Sequence, residues 1–317
     1  MKAIVTGGAG FIGSHLVDRL LVEGNEVTVI DDLSTGTLRN LDKAFQSDSF
    51  RFIQENIKIL KRPDYVDIMD GADAVFHLSS FADLRKSLIN KKQDFENNLV
   101  PTLQLLDAIA ENSVKNVIFA STSSIYGEPE IIPTPESYFP TITSLYSASK
   151  LASEAFCQAY SEMYGFRLNI FRFSNIIGDR CRRGVVWDFV HKLTSNPLNL
   201  EVLGDGKQSK EFLHVVDAIN AVLQAFRHAG NRVSVYNVGS SKNLTIDFVA
   251  DIVMKNVLGK KVDKIFTGGK GGWIGDNPIV ALDLTRIKSI GWTQTIDSVD
   301  AIMRTVNWTL KEINSGQ

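Results

Sequence analysis

The sequence predicts an α/β protein built on a doubly wound parallel sheet, and three observations predict it. First, an apolar run at residues 3–6 ends in Gly7, Gly10 and Gly13, as a buried strand entering a tight turn does. Second, Leu16, Leu20 and Leu21 then recur at helical spacing up to Gly24, where the helix stops, and a second apolar run ends on Asp31. Third, further strand-like runs alternate with helical ones, at Phe50-Arg51-Phe52-Ile53, Ala74-Val75-Phe76-His77-Leu78, residues 95–111 and Asn116-Val117-Ile118-Phe119-Ala120.

The opening unit has the spacing of a Rossmann-type dinucleotide site, with an acid about twenty residues beyond the last glycine. Glycines let backbone amides approach a pyrophosphate, and the positive end of the following helix holds its charge. Asp31 accepts hydrogen bonds from the adenosine ribose and repels a 2′-phosphate, which favours NAD over NADP. Asp32, Thr35 and Gly36 follow in a polar turn that wraps the adenosine.

Composition narrows the function classes. The chain has 317 residues, 44% hydrophobic and 22% charged, with a net charge of -2. That charge excludes a basic nucleic-acid surface or polybasic membrane patch, and no apolar run is long enough to span a bilayer. Such a length favours one large domain with a smaller partner. The glycines interrupt the amino-terminal run too early for a secretory signal. Cys157 and Cys181 have no metal-ligand spacing, and the five histidines (His15, His77, His191, His214, His228) are scattered. A reducing cytoplasm without a metal site is the expectation.

The strand at residues 116–120 leads into Ser121-Thr122-Ser123-Ser124-Ile125-Tyr126-Gly127, then a loop with Pro129, Pro133, Pro135 and Pro140. Ser144-Leu145-Tyr146-Ser147-Ala148-Ser149-Lys150 opens a helix predicted to continue to about Tyr164. Tyr146 and Lys150 are four apart and share one face. A cation beside a phenol favours the phenolate and makes tyrosine usable as a base near neutrality. Thr122 supplies a hydroxyl beside it. The bland alternative is a solvated helix face, which the dinucleotide unit upstream makes the weaker reading.

The motifs Gly7-x-x-Gly10-x-x-Gly13, Asp31, Asn98, Thr122, Tyr126-Gly127, Tyr146-x-x-x-Lys150, Arg172-Phe173-x-Asn175 and Gly275-Asp276 occur in that order. In these the chain resembles the extended short-chain dehydrogenases/reductases of the NAD-dependent epimerase/dehydratase family, most of all UDP-glucose 4-epimerases of the short archaeal type. The resemblance implies an NAD-binding domain of residues 1–177, rejoined by about 212–239, and a smaller mixed α/β substrate-binding domain of 178–211 and 240–317. It implies that Phe11 and Ile12 flank the pyrophosphate and that Asn56 and Ile57 contact the adenine. Leu78, Ser79, Ser80 and Asn98 would line the cofactor, with Tyr146 and Lys150 at its nicotinamide ribose. Thr122, Tyr146 and Lys150 would be catalytic. Thr122, Asn175, Lys210, Asp276 and Val280 would meet a UDP-sugar substrate, and the helices 95–111 and 146–164 would form a homodimer.

Three positions depart from the family. Asn56 stands for the usual aspartate. Lys210 stands for an arginine on the pyrophosphate, keeping the charge without the bidentate fork. Trp273 stands for another arginine, with Lys270 nearby.

Reaction type rests on Ser123-Ser124. Related 4,6-dehydratases carry Asp-Glu there and related decarboxylases a glutamate, whereas two serines provide no second acid–base pair. Oxidation and re-reduction at C4 of a UDP-hexose, through a transient 4-keto sugar, is then the simplest chemistry, with UDP-glucose and UDP-galactose as substrates and N-acetyl forms tolerated. Alternatives are a dehydratase with its acid supplied elsewhere, a non-catalytic NAD sensor, and a scaffold that NAD merely stabilises. Val280 is expected near the sugar 2-position, with a core strand at 279–282 as its bland alternative.

Overall fold

The computed structural model describes residues 1–59, 62–82, 89–273 and 275–315, side chains at 62–64 excepted. The chain begins with β1 (Lys2–Thr6), α1 (Phe11–Val22) and β2 (Glu26–Ile30), followed by β3 (Phe50–Ile53), α2 (Arg62–Met69) and β4 (Ala74–His77). A π-helical turn (Phe95–Leu99) precedes α3 (Val100–Glu111), then come β5 (Asn116–Thr122), α4 (Leu145–Tyr164) and β6 (Arg167–Phe173). The rest is β7 (Asn175–Ile177), α5 (Val185–Ser195), β8 (Asn199–Val202), β9 (Ser209–His214), α6 (Val215–Arg227), β10 (Val233–Val238), β11 (Asn243–Thr245), α7 (Ile246–Leu258), β12 (Asp263–Phe266), α8 (Thr285–Ser289) and α9 (Ser298–Ser315).

Seven parallel strands form the main sheet in the order β10-β6-β5-β4-β1-β2-β3. β1 lies inside the sheet, with Ala3, Ile4 and Val5 wholly buried and the strand paired to β2 on one side and β4 on the other. Strand order reverses between β1 and β4, and in open α/β sheets ligands bind beyond the carboxyl ends of strands at that crevice. Gly7 and Leu78-Ser79-Ser80 emerge there, after Thr6 and its register partner His77.

The chain divides into two compact units. The first is Met1–Ile125, Ile142–Arg172 and Val222–Tyr236; the second is Tyr126–Thr141, Phe173–Ala221 and Asn237–Gln317. The proline-rich loop thus groups with the second unit. The first unit packs α2, α3 and α4 on the sheet through Ile4, Val75, Leu105, Ile109, Phe119 and Ile170. The second has its own core around Phe189, Leu193, Phe212, Val249, Val253 and Ile302, with a three-stranded sheet β11-β9-β7 and a pair β12-β8.

Local signals placed most boundaries. The α4 helix starts at Ser144, whose side chain accepts the Ser147 amide, and ends at Tyr164 before Gly165. Thr245 caps α7 by accepting from Phe248 N, which contributes about 1 kcal/mol. The run 95–111 is not one continuous α-helix. Val100 N bonds to Phe95 O in the π turn, and Pro101 has no N–H with which to continue the usual ladder. No helix among the described residues is long and apolar enough to cross a membrane.

Candidate active site

In the first unit the glycine turn, Asp31, Asp32, Asn56 and Leu78-Ser79-Ser80 follow the carboxyl ends of β1, β2, β3 and β4. Gly7 has φ +70°, and a Cβ there would lie 2.6 Å from Ser79 N. A Cβ at Gly13 would lie 2.2 Å from Gly7 O, so only glycine lets α1 approach the turn. Gly10 is the N-cap of α1 and no side chain caps it, so the first-turn amides of Phe11, Ile12 and Gly13 head an uncapped helix. This turn fits a pyrophosphate.

Asp31 is 8% exposed. Its Oδ2 accepts from Ala9 N and its Oδ1 from Leu33 N, both at 2.9 Å. Burial raises its carboxyl above the usual range, against the pull of those backbone donors. Asp32 accepts from Ser34 N at 2.9 Å and from Asn56 Nδ2 at 2.7 Å. The Asn56 oxygen accepts from Lys58 N, so this asparagine links the ends of β2 and β3. Gly36 packs on the glycine turn, where a Cβ would meet Ala9 C at 2.8 Å, and Thr35 beside it is exposed. Ile57 is buried and its carbonyl accepts from Tyr65 Oη.

Asn98, within the π turn, is saturated by protein groups. Its Nδ2 donates to Phe81 O and Ser149 Oγ, each at 3.0 Å, while its Oδ1 accepts from Phe81 N at 2.7 Å and Ser80 Oγ at 3.1 Å. It clamps the segment after β4 to α4, one residue before Lys150.

Thr122 ends β5 and exchanges hydrogen bonds with Ser124, donating to its Oγ and accepting from its N–H. Ser147 Oγ donates to Ser124 O at 3.0 Å, fastening the first turn of α4 to the Ser123–Tyr126 turn. Tyr146 is half-buried, and Lys150 is 2% exposed with its ammonium 4.2 Å from the Phe119 ring centroid. Desolvation brings the Lys150 ammonium down to about 8, opposed by Cys157 and Glu154. A buried chain runs nearby. Thr6 Oγ1 meets His77 Nδ1 at 2.7 Å, His77 Nε2 meets Thr102 Oγ1 at 3.0 Å, and Thr102 donates to Asn98 O at 2.6 Å. Because the Thr102 proton goes to Asn98, His77 carries its own on Nε2 and accepts from Thr6 on Nδ1. Burial, and then the Lys150 charge, push this imidazole down to about 3, so it stays neutral.

The second unit carries the remaining predicted residues. Asn175 is exposed and donates to Glu211 O at 3.0 Å. Lys210 is buried, and its ammonium donates to Asp276 Oδ1 at 2.7 Å and to Asn277 O. Asp276 also accepts from Gly272 N at 3.0 Å. The charge expected to face a diphosphate is thus already paired. Glu211 holds the neighbouring segment by accepting from Leu282 N at 2.7 Å and Ser240 N at 3.2 Å. Residues 279–282 form no continuous strand. Ile279 and Leu282 make isolated bridges to Ser209 and Thr134, and Val280 between them is half-buried. Trp273 and Lys270 are exposed in the glycine-rich segment. Among the described residues no cluster of three metal-ligating side chains occurs.

Sequence reasoning missed the Thr6–His77–Thr102 chain and a buried Glu154–Arg172 ion pair with bonds of 2.8–3.3 Å. The period-four spacing of Glu154 after Lys150 was the available signal.

Known proteins resemble the whole chain. A UDP-glucose 4-epimerase from Mycolicibacterium smegmatis is 30% identical over 316 residues, covering 97% of this chain and 98% of its own. The structure of UDP-glucose 4-epimerase from Thermotoga maritima with UDP-glucose matches with a TM-score of 0.89 at 28% identity, over 99% of this chain and 100% of that one. UDP-glucuronic acid 4-epimerase from Bacillus cereus, in complex with UDP-glucuronic acid and NAD, matches with a TM-score of 0.90 at 26% identity, over 98% and 100%. The family model described as "NAD dependent epimerase/dehydratase family" matches residues 3–239. On sequence, fold and glycine-turn geometry together, the chain belongs to the NAD-dependent epimerase/dehydratase family, whose cofactor is NAD.

Proposed function

We propose that this protein epimerises a UDP-hexose at C4, interconverting UDP-glucose and UDP-galactose and tolerating N-acetyl forms, through a transient 4-keto sugar. The observation that carries the reading is the pairing of Tyr146 and Lys150 on one helix, whose first turn Ser147 fastens to Ser124, two residues after Thr122, with serines rather than acids at 123 and 124. NAD, held at the glycine turn by Gly7, Gly10 and Gly13 with Asp31 at its ribose, would supply reversible hydride transfer at C4. Tyr146 takes the proton of the 4-hydroxyl and later gives it back. Lys150 favours the phenolate, and Thr122 hydrogen-bonds the same sugar oxygen. Electrons and protons balance within one turnover, and no external reductant is consumed. Holding both reactants in place replaces an encounter and lowers the barrier.

Asp31 and the Asp32–Asn56 link would hold the adenosine, with Thr35, Gly36 and Ile57 beside it. Leu78, Ser79 and Ser80 would line the cofactor, and Asn98 would fix that lining through its four hydrogen bonds. Asn175, Lys210, Asp276 and Val280 would meet the nucleotide sugar, Lys210 exchanging Asp276 for phosphate oxygens as substrate enters. Exposed Phe95, Leu145, Phe156, Met163 and Tyr164 support a homodimer through these helices. Relatives named as 4-epimerases support the reaction class.

The test is incubation of the NAD-loaded protein with UDP-galactose, UDP-glucose and their N-acetyl forms, without reductant, with identification of products. An equilibrium mixture of C4 epimers is expected. Accumulation of a stable keto sugar would establish a dehydratase instead.

A further inference from the structure

One buried carboxylate joins the two elements that carry the proposed acid–base groups. Glu154 stands one helical turn beyond Lys150 on α4 and is 1% exposed. Its Oε1 accepts from Ser121 Oγ at 2.5 Å and from Arg172 Nε at 3.1 Å, and its Oε2 accepts from Arg172 Nη2 at 2.8 Å. Ser121 immediately precedes Thr122 on β5, and Arg172 lies on β6, the adjacent strand. A buried carboxylate needs a partner, which the two-pronged guanidinium supplies. That pairing leaves the third bond unexplained. The Ser121 bond reaches across to the strand whose next residue is Thr122.

The charge of Glu154 has a second consequence. Among the described residues the Lys150 ammonium has no acidic group at ion-pair distance and lies over the Phe119 ring instead. Among the described residues the titratable groups acting on it are His77 from β4 and Glu154 and Cys157 from α4, with Arg172 of β6 bound to Glu154. His77 is neutral, and burial pushes the Cys157 thiol up to about 12, so it too is uncharged at working pH. Glu154 is therefore the negative end of a Glu154–Arg172 dipole set into the lysine's own helix, and an anion nearby favours the charged ammonium.

We infer that Glu154 is a positioning residue of the reaction: it holds α4 against the end of β5 so that Thr122, Tyr146 and Lys150 keep their spacing, and its charge keeps the Lys150 ammonium protonated. The inference rests on the assignment of Tyr146 and Lys150 made above.

Replacing Glu154 alone would strand a buried guanidinium and threaten the fold. The test therefore uses the paired variant Glu154→Gln/Arg172→Met, and separately Ser121→Ala, both loaded with NAD. The difference in tyrosinate ultraviolet absorbance between each enzyme and its Tyr146→Phe counterpart gives the ionisation midpoint of Tyr146 without any substrate. In the paired variant the midpoint should rise by about one pH unit, because a less charged Lys150 supports the phenolate less. At neutral pH kcat should then fall about tenfold, one unit being tenfold in phenolate population, with KM little changed. Ser121→Ala keeps the ion pair; it should leave the midpoint in place and lower kcat about threefold through looser spacing.

A folded paired variant with wild-type midpoint and kcat overturns the electrostatic role, even if its thermal stability falls, since a mere brace would do only that. An unchanged kcat in Ser121→Ala overturns the spacing role. If Tyr146→Phe keeps turnover or carries no tyrosinate difference, the tyrosine assignment itself falls and this inference with it, whereas the first two results leave that assignment standing.

Discussion

Acid should loosen the first unit through one side chain, His77. Its imidazole is held between Thr6 and Thr102 with one nitrogen accepting and the other donating, and it titrates at about 3 instead of the ordinary 6.5. In the unfolded chain His77 binds a proton as pH falls below 6.5, while the native state refuses it until about 3. Stability from this group is therefore complete above 6.5 and is lost progressively down to 3. At pH 5 the unfolded form gains 1.5 pH units of protonation, or about 2 kcal/mol, and the full gap corresponds to about 5 kcal/mol. His77→Gln keeps a donor and an acceptor but cannot titrate. Tryptophan fluorescence would watch the wrong unit, because Trp187, Trp273, Trp292 and Trp308 all lie in the second. Native-state hydrogen exchange at the β1 and β4 amides, Val5 and Phe76 among them, reports the first. Between pH 7 and pH 5 the wild-type opening free energy should fall by about 2 kcal/mol more than that of His77→Gln. Equal losses in the two proteins would refute the reasoning, for then His77 takes its proton in the native state.

Further outcomes are expected at the candidate site. Tyr146→Phe should cut turnover by about a hundredfold to ten-thousandfold while NAD remains bound, the range of general base catalysis; near-normal activity would remove Tyr146 from the mechanism. Asp31→Ala should weaken NAD binding by about ten- to a hundredfold and relax discrimination against NADP, measured by titration with both nucleotides. An unaltered preference would mean that Asp31 does not face the ribose. Val280→Tyr should depress turnover of an N-acetyl substrate about tenfold more than that of UDP-galactose, since a half-buried valine leaves room that a phenol fills. Equal loss on both substrates points to packing instead.

Features with local causes were legible in the chain. The glycine turn, the start of α4 at Ser144 and its end at Tyr164 all depend on residues within a few positions of one another. The π turn was hidden because the 95–111 run has continuous helical periodicity, and only the Pro101 position betrays the change of ladder. Asn98 shows its sequence as a single polar residue, while its four bonds reach residues 17, 18 and 51 positions away. Likewise His77 looked like one of five scattered histidines, and Lys210 like a cation reserved for a pyrophosphate. Their partners, Thr6 and Thr102, and Asp276, come from distant stretches that only the folded topology brings together.

The division of the first unit among three stretches matters during synthesis. Its last stretch ends at Tyr236, so about three quarters of the chain must leave the ribosome before that sheet can close. Until β10 arrives, β6 is an edge with open backbone donors and acceptors, because β10 is its outer neighbour. Meanwhile the stretch Phe173–Ala221, which belongs to the other unit, emerges without the partners it needs from residues 237–317. By order of appearance the first unit has all its residues once Tyr236 emerges, whereas the second waits for residues 237–317. Until β10 emerges, the open edge of β6 offers a second copy of the chain the backbone pairing that β10 later takes.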